Sequence, residues 1–156
     1  MSSKKDDLRS SLKRKQDMVK NDRIKFLQIR YTDVSGRFLA IYISEGTDHF
    51  ESIFKDGVGL DGSSVNGFAD INESDLLLLP DKSTVRLIEA MRASGSNNMV
   101  SAIADVFRGF GQGRLVKDPR YVSQTMEGYL AENGLSCQIG AEVECFIFDD
   151  IVLKNA

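Results

Sequence analysis

The stretch "RIKFLQIRYTDVSGRFLAIYI", residues 23–43, is two runs rich in Ile, Phe and Tyr around a short polar break. Asp33 and Gly36 in that break carry turn chemistry, because Asp bonds its own backbone and Gly accepts left-handed dihedrals. Aromatic and β-branched runs on either side of such a break read as a β-hairpin.

The chain downstream adds one helix and more strands. In "TDHFESIFKDG" (47–57), Thr47 is a candidate N-cap, and Phe50, Ile53 and Phe54 share a helical face. Gly57 is the stop signal. "VGLDGSSVNGFADINESD" (58–75) reads as a long loop, a length that in compact domains usually signals function or disorder. "LLLLP" (76–80), "STVRLIEAM" (83–91) and "MVSAIADVF" (99–107) read as strands, with "SGSNN" (94–98) as a surface turn. Strands around one helix predict an α+β fold with the helix on one face of a sheet.

A second unit follows "RGFGQGRLVK" (108–117), which is taken as a flexible connection. Its glycines lack both the G-x-G-x-x-G spacing and the Gly-Lys-Ser/Thr ending of phosphate-binding loops. "DPRYVSQTMEGYLAENG" (118–134) is the clearest helix: Asp118 caps it, Pro119 occupies the first helical position and Gly134 closes it. Tyr121, Val122, Thr125, Met126, Tyr129 and Leu130 form its expected inner face. Residues 5–20 hold a thin apolar stripe of Leu8, Leu12 and Val19, read as either a docking helix or a tail.

Composition narrows the function classes. The chain has 156 residues, 42% of them hydrophobic, enough for one domain with a core or a small domain plus part of another. Its formal net charge of −3 implies no general attraction to nucleic acid or anionic lipid. Residues 1–23 hold eight Lys/Arg against four Asp, so the remainder is acidic. No apolar run approaches the roughly 20 residues of a membrane span, and the start lacks a signal-peptide core. These features predict a cytoplasmic protein. Cys137 and Cys145 form neither a disulfide framework nor a zinc motif and are expected as reduced core thiols.

Two places could carry chemistry. In "GAEVECFIFDD" (140–150), alternation along a strand puts Glu142 and Glu144 on one side, with Cα atoms roughly 6–7 Å apart. Ile139, Ala141, Val143, Cys145 and Ile147 take the other side. Such a pair either holds the two ions of a metal pair or simply faces water. Oxygen ligands would select Mg2+ or Mn2+. In "LDGSSVNGFADINESD" (60–75), Asp61, Ser63 and Ser64 sit among Gly59, Gly62 and Gly67, which reads as a ligand-approaching loop or a solvated turn. His49, the single histidine, supports no Ser-His-Asp arrangement.

The order of the motifs is more specific than any one of them. "LDGSSVNGFADINESDLLLLPD" (60–81), then "KDPR" (117–120) opening a helix, then "GAEVECFIFDD" resemble successive motifs of the glutamine synthetases. "YTDVSGRFLAI" also falls where that family has a hairpin, so the resemblance spans about residues 22–152. It implies a charged head over 1–22, a β-grasp domain over 23–107, and over 108–156 the first helix and strand of a catalytic domain. It further implies an ATP-dependent glutamate–ammonia ligase working through γ-glutamyl phosphate. By the same resemblance Glu142 would ligate the metal nearer the ATP phosphates, and Glu144 the metal nearer glutamate. Asp61 would help bind ammonium and take its proton, with Ser64 in the same loop. In the family this loop acts in the neighbouring subunit's site, within rings of subunits stacked in pairs. Cys145 departs from the aromatic common at its position.

The family's remaining metal ligands, its arginines and its nucleotide pocket lie beyond residue 156. The expectation is therefore an N-terminal portion, inactive alone. The alternatives are a non-catalytic β-grasp assembly or regulatory partner of full-length relatives, or a plain β-grasp binding module. Nothing in these residues separates ammonia from another amine as the co-substrate.

Overall fold

A computed structural model describes residues 24–44, 50–88, 98–109 and 111–152. The expected helix over 5–20, Thr47, His49, residues 89–91 of the "STVRLIEAM" strand and most of the 94–98 turn lie outside those residues.

Strands β1 (Ile24–Thr32) and β2 (Phe38–Ser44) form the expected hairpin, paired antiparallel from Phe26↔Ser44 to Thr32↔Phe38. Helix α1 (Phe50–Asp56) follows. Ile53 is buried, Phe50 and Phe54 pack on the core, and Gly57 ends the helix with φ of 76°. Four more strands complete the sheet: β3 (Val58–Asp61), β4 (Asp75–Pro80), β5 (Arg86–Ile88) and β6 (Asn98–Phe107). Their order is β2-β1-β6-β4-β3, with β5 beside β6. The first half of β6 runs parallel to β1 and antiparallel to β5, while its second half takes β4 antiparallel.

Period-2 alternation builds the core. Leu27, Ile29 and Tyr31 of β1, Leu76 and Leu78 of β4, and Val100, Ala104 and Val106 of β6 point to one cluster. Leu27 lies opposite Val100, and Leu78 opposite Val106. Val65, Phe68 and Leu115 reach the same cluster from loops.

The expected loop over 58–75 is corrected in part. Its first four residues are β3, paired with β4 from Val58↔Leu78 to Asp61↔Asp75. Gly59 and Asp61 hid the strand from the sequence, since both residue types are depleted in strands.

Three Asp-x-Ser triplets fold alike. Asp33, Asp61 and Asp81 each accept through Oδ1 from the backbone N–H two residues on, at 3.0, 2.9 and 2.8 Å. Each also accepts from that residue's hydroxyl, at 2.7 Å in all three. A side chain that bonds its own backbone this way stands in for a turn. In the hairpin, Asp33 is wholly buried and further accepts from Arg37 N (2.9 Å) and Arg37 Nε (2.7 Å).

Helix α2 (Pro119–Glu132) has the expected Asp118 cap and Pro119 start, and Gly134 follows with φ of 70°. Its expected inner face is corrected: no residue of the helix is buried, and Val122, Met126 and Tyr129 are more than half exposed. Ionic contacts fix its first turns instead. Arg114 Nη2 lies 3.1 Å from both Asp105 Oδ1 and Asp118 Oδ2, and its Nη1 donates to Gln124 Oε1 at 2.9 Å. Arg120 pairs with Asp105 at 2.8 Å and with Asp81. In the glycine-rich connection before the helix, Arg108 N donates to Gly113 O at 3.0 Å.

The strand expected over 140–150 is also corrected. Residues 135–152 contain no regular secondary structure, and every one is exposed. A strand needs a second strand to take its N–H and C=O groups, and none of the described strands pairs with it. Cys137 and Cys145 are free and exposed, which overturns their reading as core thiols.

Candidate functional site

Asp61 closes β3 and opens a single turn of 3-10 helix, Gly62–Ser64. Its carboxylate caps that turn through Ser63, while the Ser64 hydroxyl donates back to Asp61 O at 2.7 Å. The turn is seated by Gly62, whose N–H donates to Ser74 O at 2.7 Å. A Cβ on Gly62 would lie 2.5 Å from Leu76 Cδ1 and 3.1 Å from Ala69 Cβ, so only glycine fits there without displacement. Val65 and Phe68 then anchor the loop in the core, with Phe68 against Tyr31 at a ring separation of 6.3 Å.

The result is an exposed carboxylate on a braced loop. The Ser63 hydroxyl, then the Ser63 N–H, hold the Asp61 carboxyl below the usual carboxylate range. Partial desolvation opposes them, and the Ser74 hydroxyl and Ser64 N–H add smaller support. Asp61 is therefore ionised near neutral pH and attracts cations. Ser64 is exposed beside it. Sequence reasoning missed Ser63 as the principal partner of Asp61; the Asp-x-Ser spacing was the available signal.

Glu142 and Glu144 belong to another segment of the chain. Both are exposed in the segment without regular structure, and no hydrogen bond or ion pair joins either to the Asp61 loop among the described residues. No three His, Cys, Asp or Glu side chains among the described residues gather into a group that could hold a metal ion. The donors present thus do not fit a resident metal: two exposed carboxylates leave most of an octahedral shell to water. A cleft of about 450 Å³ lies between the β1–β2 turn and the start of α2, lined by Gly36, Phe38, Arg120 and Ser123 among others. It includes none of the four acids and hydroxyls expected to act. No helix among the described residues is long and apolar enough to cross a membrane.

The family described as "Glutamine synthetase, beta-Grasp domain" matches residues 23–109, more than half of the chain. A glutamine synthetase of Sulfolobus acidocaldarius is 38% identical over 136 residues, covering 86% of this chain and 28% of its own length. One of Mycolicibacterium smegmatis is 39% identical over 137 residues, covering 86% and 27%. The chain therefore spans little more than a quarter of these relatives. The Plasmodium falciparum glutamine synthetase solved by cryo-EM superposes with a TM-score of 0.64 at 19% identity, over 81% of this chain and 23% of that one. An ADP complex of GmaS gives 0.61 at 20% identity, over 75% and 25%. At such identities the superpositions speak for the fold alone.

Proposed function

The chain belongs to the glutamine synthetase family, and from that premise we propose that it serves as the N-terminal part of an ATP- and divalent-metal-dependent glutamate–ammonia ligase. The observation that carries the reading is the Asp61 loop: an ionised, exposed carboxylate on a turn braced by Ser63, Gly62 and the core. In this reading Asp61 draws ammonium to the site and Ser64 lines the same approach. A carboxyl held at low pKa attracts a cation better than it takes up a proton. Asp61 therefore contributes first by attraction, and proton removal completes as the nitrogen attacks the activated glutamate.

The proposal assigns the groups that bind glutamate and nucleotide to the portion of such a ligase that this chain does not span. Glu142 and Glu144 become metal ligands only when further donors join them. In this reading the site is composite, with the loop of one subunit serving its neighbour within a ring. The cytoplasm, where ATP and glutamate are supplied, is the compartment proposed.

The test is a chimera carrying residues 23–109 of this chain in place of the matching segment of the Mycolicibacterium smegmatis relative. The chimera is expected to make glutamine, and its Asp61→Ala variant to lose about 10²-fold or more in kcat/KM for ammonium. An Asp61→Ala chimera with unchanged ammonium dependence overturns the reading. The chain by itself is expected to show no γ-glutamyl transfer, and robust turnover by it would overturn the assignment of the remaining groups elsewhere.

One observation favours a second reading, that of a self-standing β-grasp assembly partner. The buried cluster closes within residues 27–115 and takes nothing from 135–152. Co-purification with a longer relative, with Asp61→Ala altering the mixture's ammonia dependence, would support that reading; free monomers alone would count against it.

A further inference from the structure

The bonds of Asp61 with Ser63 and Ser64 shape its turn, and the pairing of β3 with β4 at Asp61↔Asp75 holds its backbone. Further placement comes from contacts beyond the turn. Gly62 is pressed under Leu76 on one side. On the other, Gly67 meets the tip of the β1–β2 hairpin: a Cβ built on Gly67 would lie 2.4 Å from Val34 Cγ2. Gly67 also has φ of 80°. Gly36, Gly111, Gly113 and Gly134 share positive φ, yet a Cβ on any of them would meet nothing within 4 Å. At Gly67 the missing side chain answers two demands, the left-handed backbone and the methyl of Val34.

The other partner in this contact is rigid. Val34 is flanked by Asp33, whose buried carboxylate gathers four hydrogen bonds from Ser35 and Arg37. Gly36 N adds a backbone bond to Asp33 O at 3.0 Å, and Asp33 N one to Arg37 O at 3.0 Å. The hairpin tip is thereby held as a fixed wedge. Val34 itself is 46% exposed, so its value to the core is small. Its contact with Gly67 is its distinguishing feature.

We propose that Val34 is a positioning residue for Asp61, its side chain wedging Gly67 and so fixing the loop on which that carboxylate is presented. The proposal deepens the ammonium reading of Asp61 and rests on it for its functional meaning. The contact couples two turns that are distant in sequence, so the carboxylate is located by the hairpin as well as by its own strand. Loosening the wedge lets residues 62–68 shift and weakens the bonds from Ser63 that keep Asp61 ionised.

The experiment uses the full chain and reads the loop rather than catalysis. Carboxyl-carbon NMR follows the titration of Asp61, and amide exchange follows Ser63 and Val65. Val34→Ala is expected to raise the Asp61 midpoint toward the ordinary 3.8 and to speed Ser63 exchange about tenfold. Val34→Thr, which keeps the branched shape, is expected to restore both. Ser83, in the like-folded Asp81 turn, serves as control and is expected not to change, whereas general loosening would move it too. An unchanged Asp61 midpoint and unchanged Ser63 exchange in Val34→Ala overturn the proposal, as does equal acceleration at Ser83. Should Val34→Ala unfold the chain, Gly67→Asn is read against the parent chain instead. Asn tolerates the left-handed backbone, so this variant adds the steric overlap with Val34. The Asp61 midpoint and Ser63 exchange must move in Gly67→Asn while Ser83 does not; no change at Asp61 and Ser63 overturns the proposal. Since neither measurement involves ammonium, failure of the ligase reading in the chimera leaves this result distinguishable.

Discussion

Asp118 reaches from the start of α2 to Val106 in the middle of the sheet's second half, with Oδ2 3.1 Å from the Val106 nitrogen. Its Oδ1 meanwhile accepts from Arg120 N at 3.0 Å, so one buried side chain caps the helix and ties it to β6. Removing it deletes a cap, worth about 1 kcal/mol. It also strands a buried N–H, at about 1–3 kcal/mol. Asp118→Ala is expected to cost about 2–4 kcal/mol in urea unfolding. Asp118→Asn, which keeps an acceptor for one of the two N–H groups, is expected to cost less.

The buried Asp33 carboxyl predicts an acid-sensitive hairpin. The Ser35 hydroxyl, ahead of the Arg37 N–H and guanidinium, outweighs desolvation and holds its pKa down at about 2 against an ordinary 3.8. Because the folded value is the lower, the unfolded chain binds more protons between the two, and stability rises with pH across that interval. The contribution is complete above about 3.8 and is lost as pH falls toward 2. Denaturation of the parent chain from pH 5 to pH 2 is expected to show this slope, and Asp33→Asn to flatten it.

Gly62 is the seat of the Asp61 turn. Its Cβ would stand 2.5 and 2.8 Å from Leu76 Cδ1 and Cγ, and Leu76 is buried. Gly62→Ala is expected to destabilise by about 1–3 kcal/mol through overpacking. Gly59→Ala, where a Cβ would meet nothing within 4 Å, serves as the control in thermal unfolding.

Beyond Gly134 the chain displays Ile139, Val143, Phe146, Ile147, Phe148, Ile151 and Val152, each more than 60% exposed. Exposed apolar side chains this dense in one segment favour association. A chain terminated after Gly134 is expected to unfold within about 2 °C of the parent, since no core contact is lost. Light scattering is expected to show less self-association. A large loss of Tm would mean that residues 135–152 brace the sheet.

Local chemistry was legible from the residues. The Asp33–Gly36 turn, the stop at Gly57 and the Asp118–Pro119 start of α2 each depend on a few neighbours and formed as expected. So did the order of motifs, which placed the chain in its family. What the sequence could not supply was pairing at a distance. β3 exists because β4 accepts it despite Gly59 and Asp61; β6 divides its length among β1, β5 and β4; and Arg114 and Arg120 gather acids from three segments. The same reason governs the two expected site acids. Alternation placed Glu142 and Glu144 on one side of a strand, but a strand is made by its partner, and the described sheet offers residues 140–150 none. Asp61 fared otherwise: its turn is local, while the pairing of β3 with β4, the seat of Gly62 under Leu76 and the approach of Val34 to Gly67 are contacts that only the folded chain supplies.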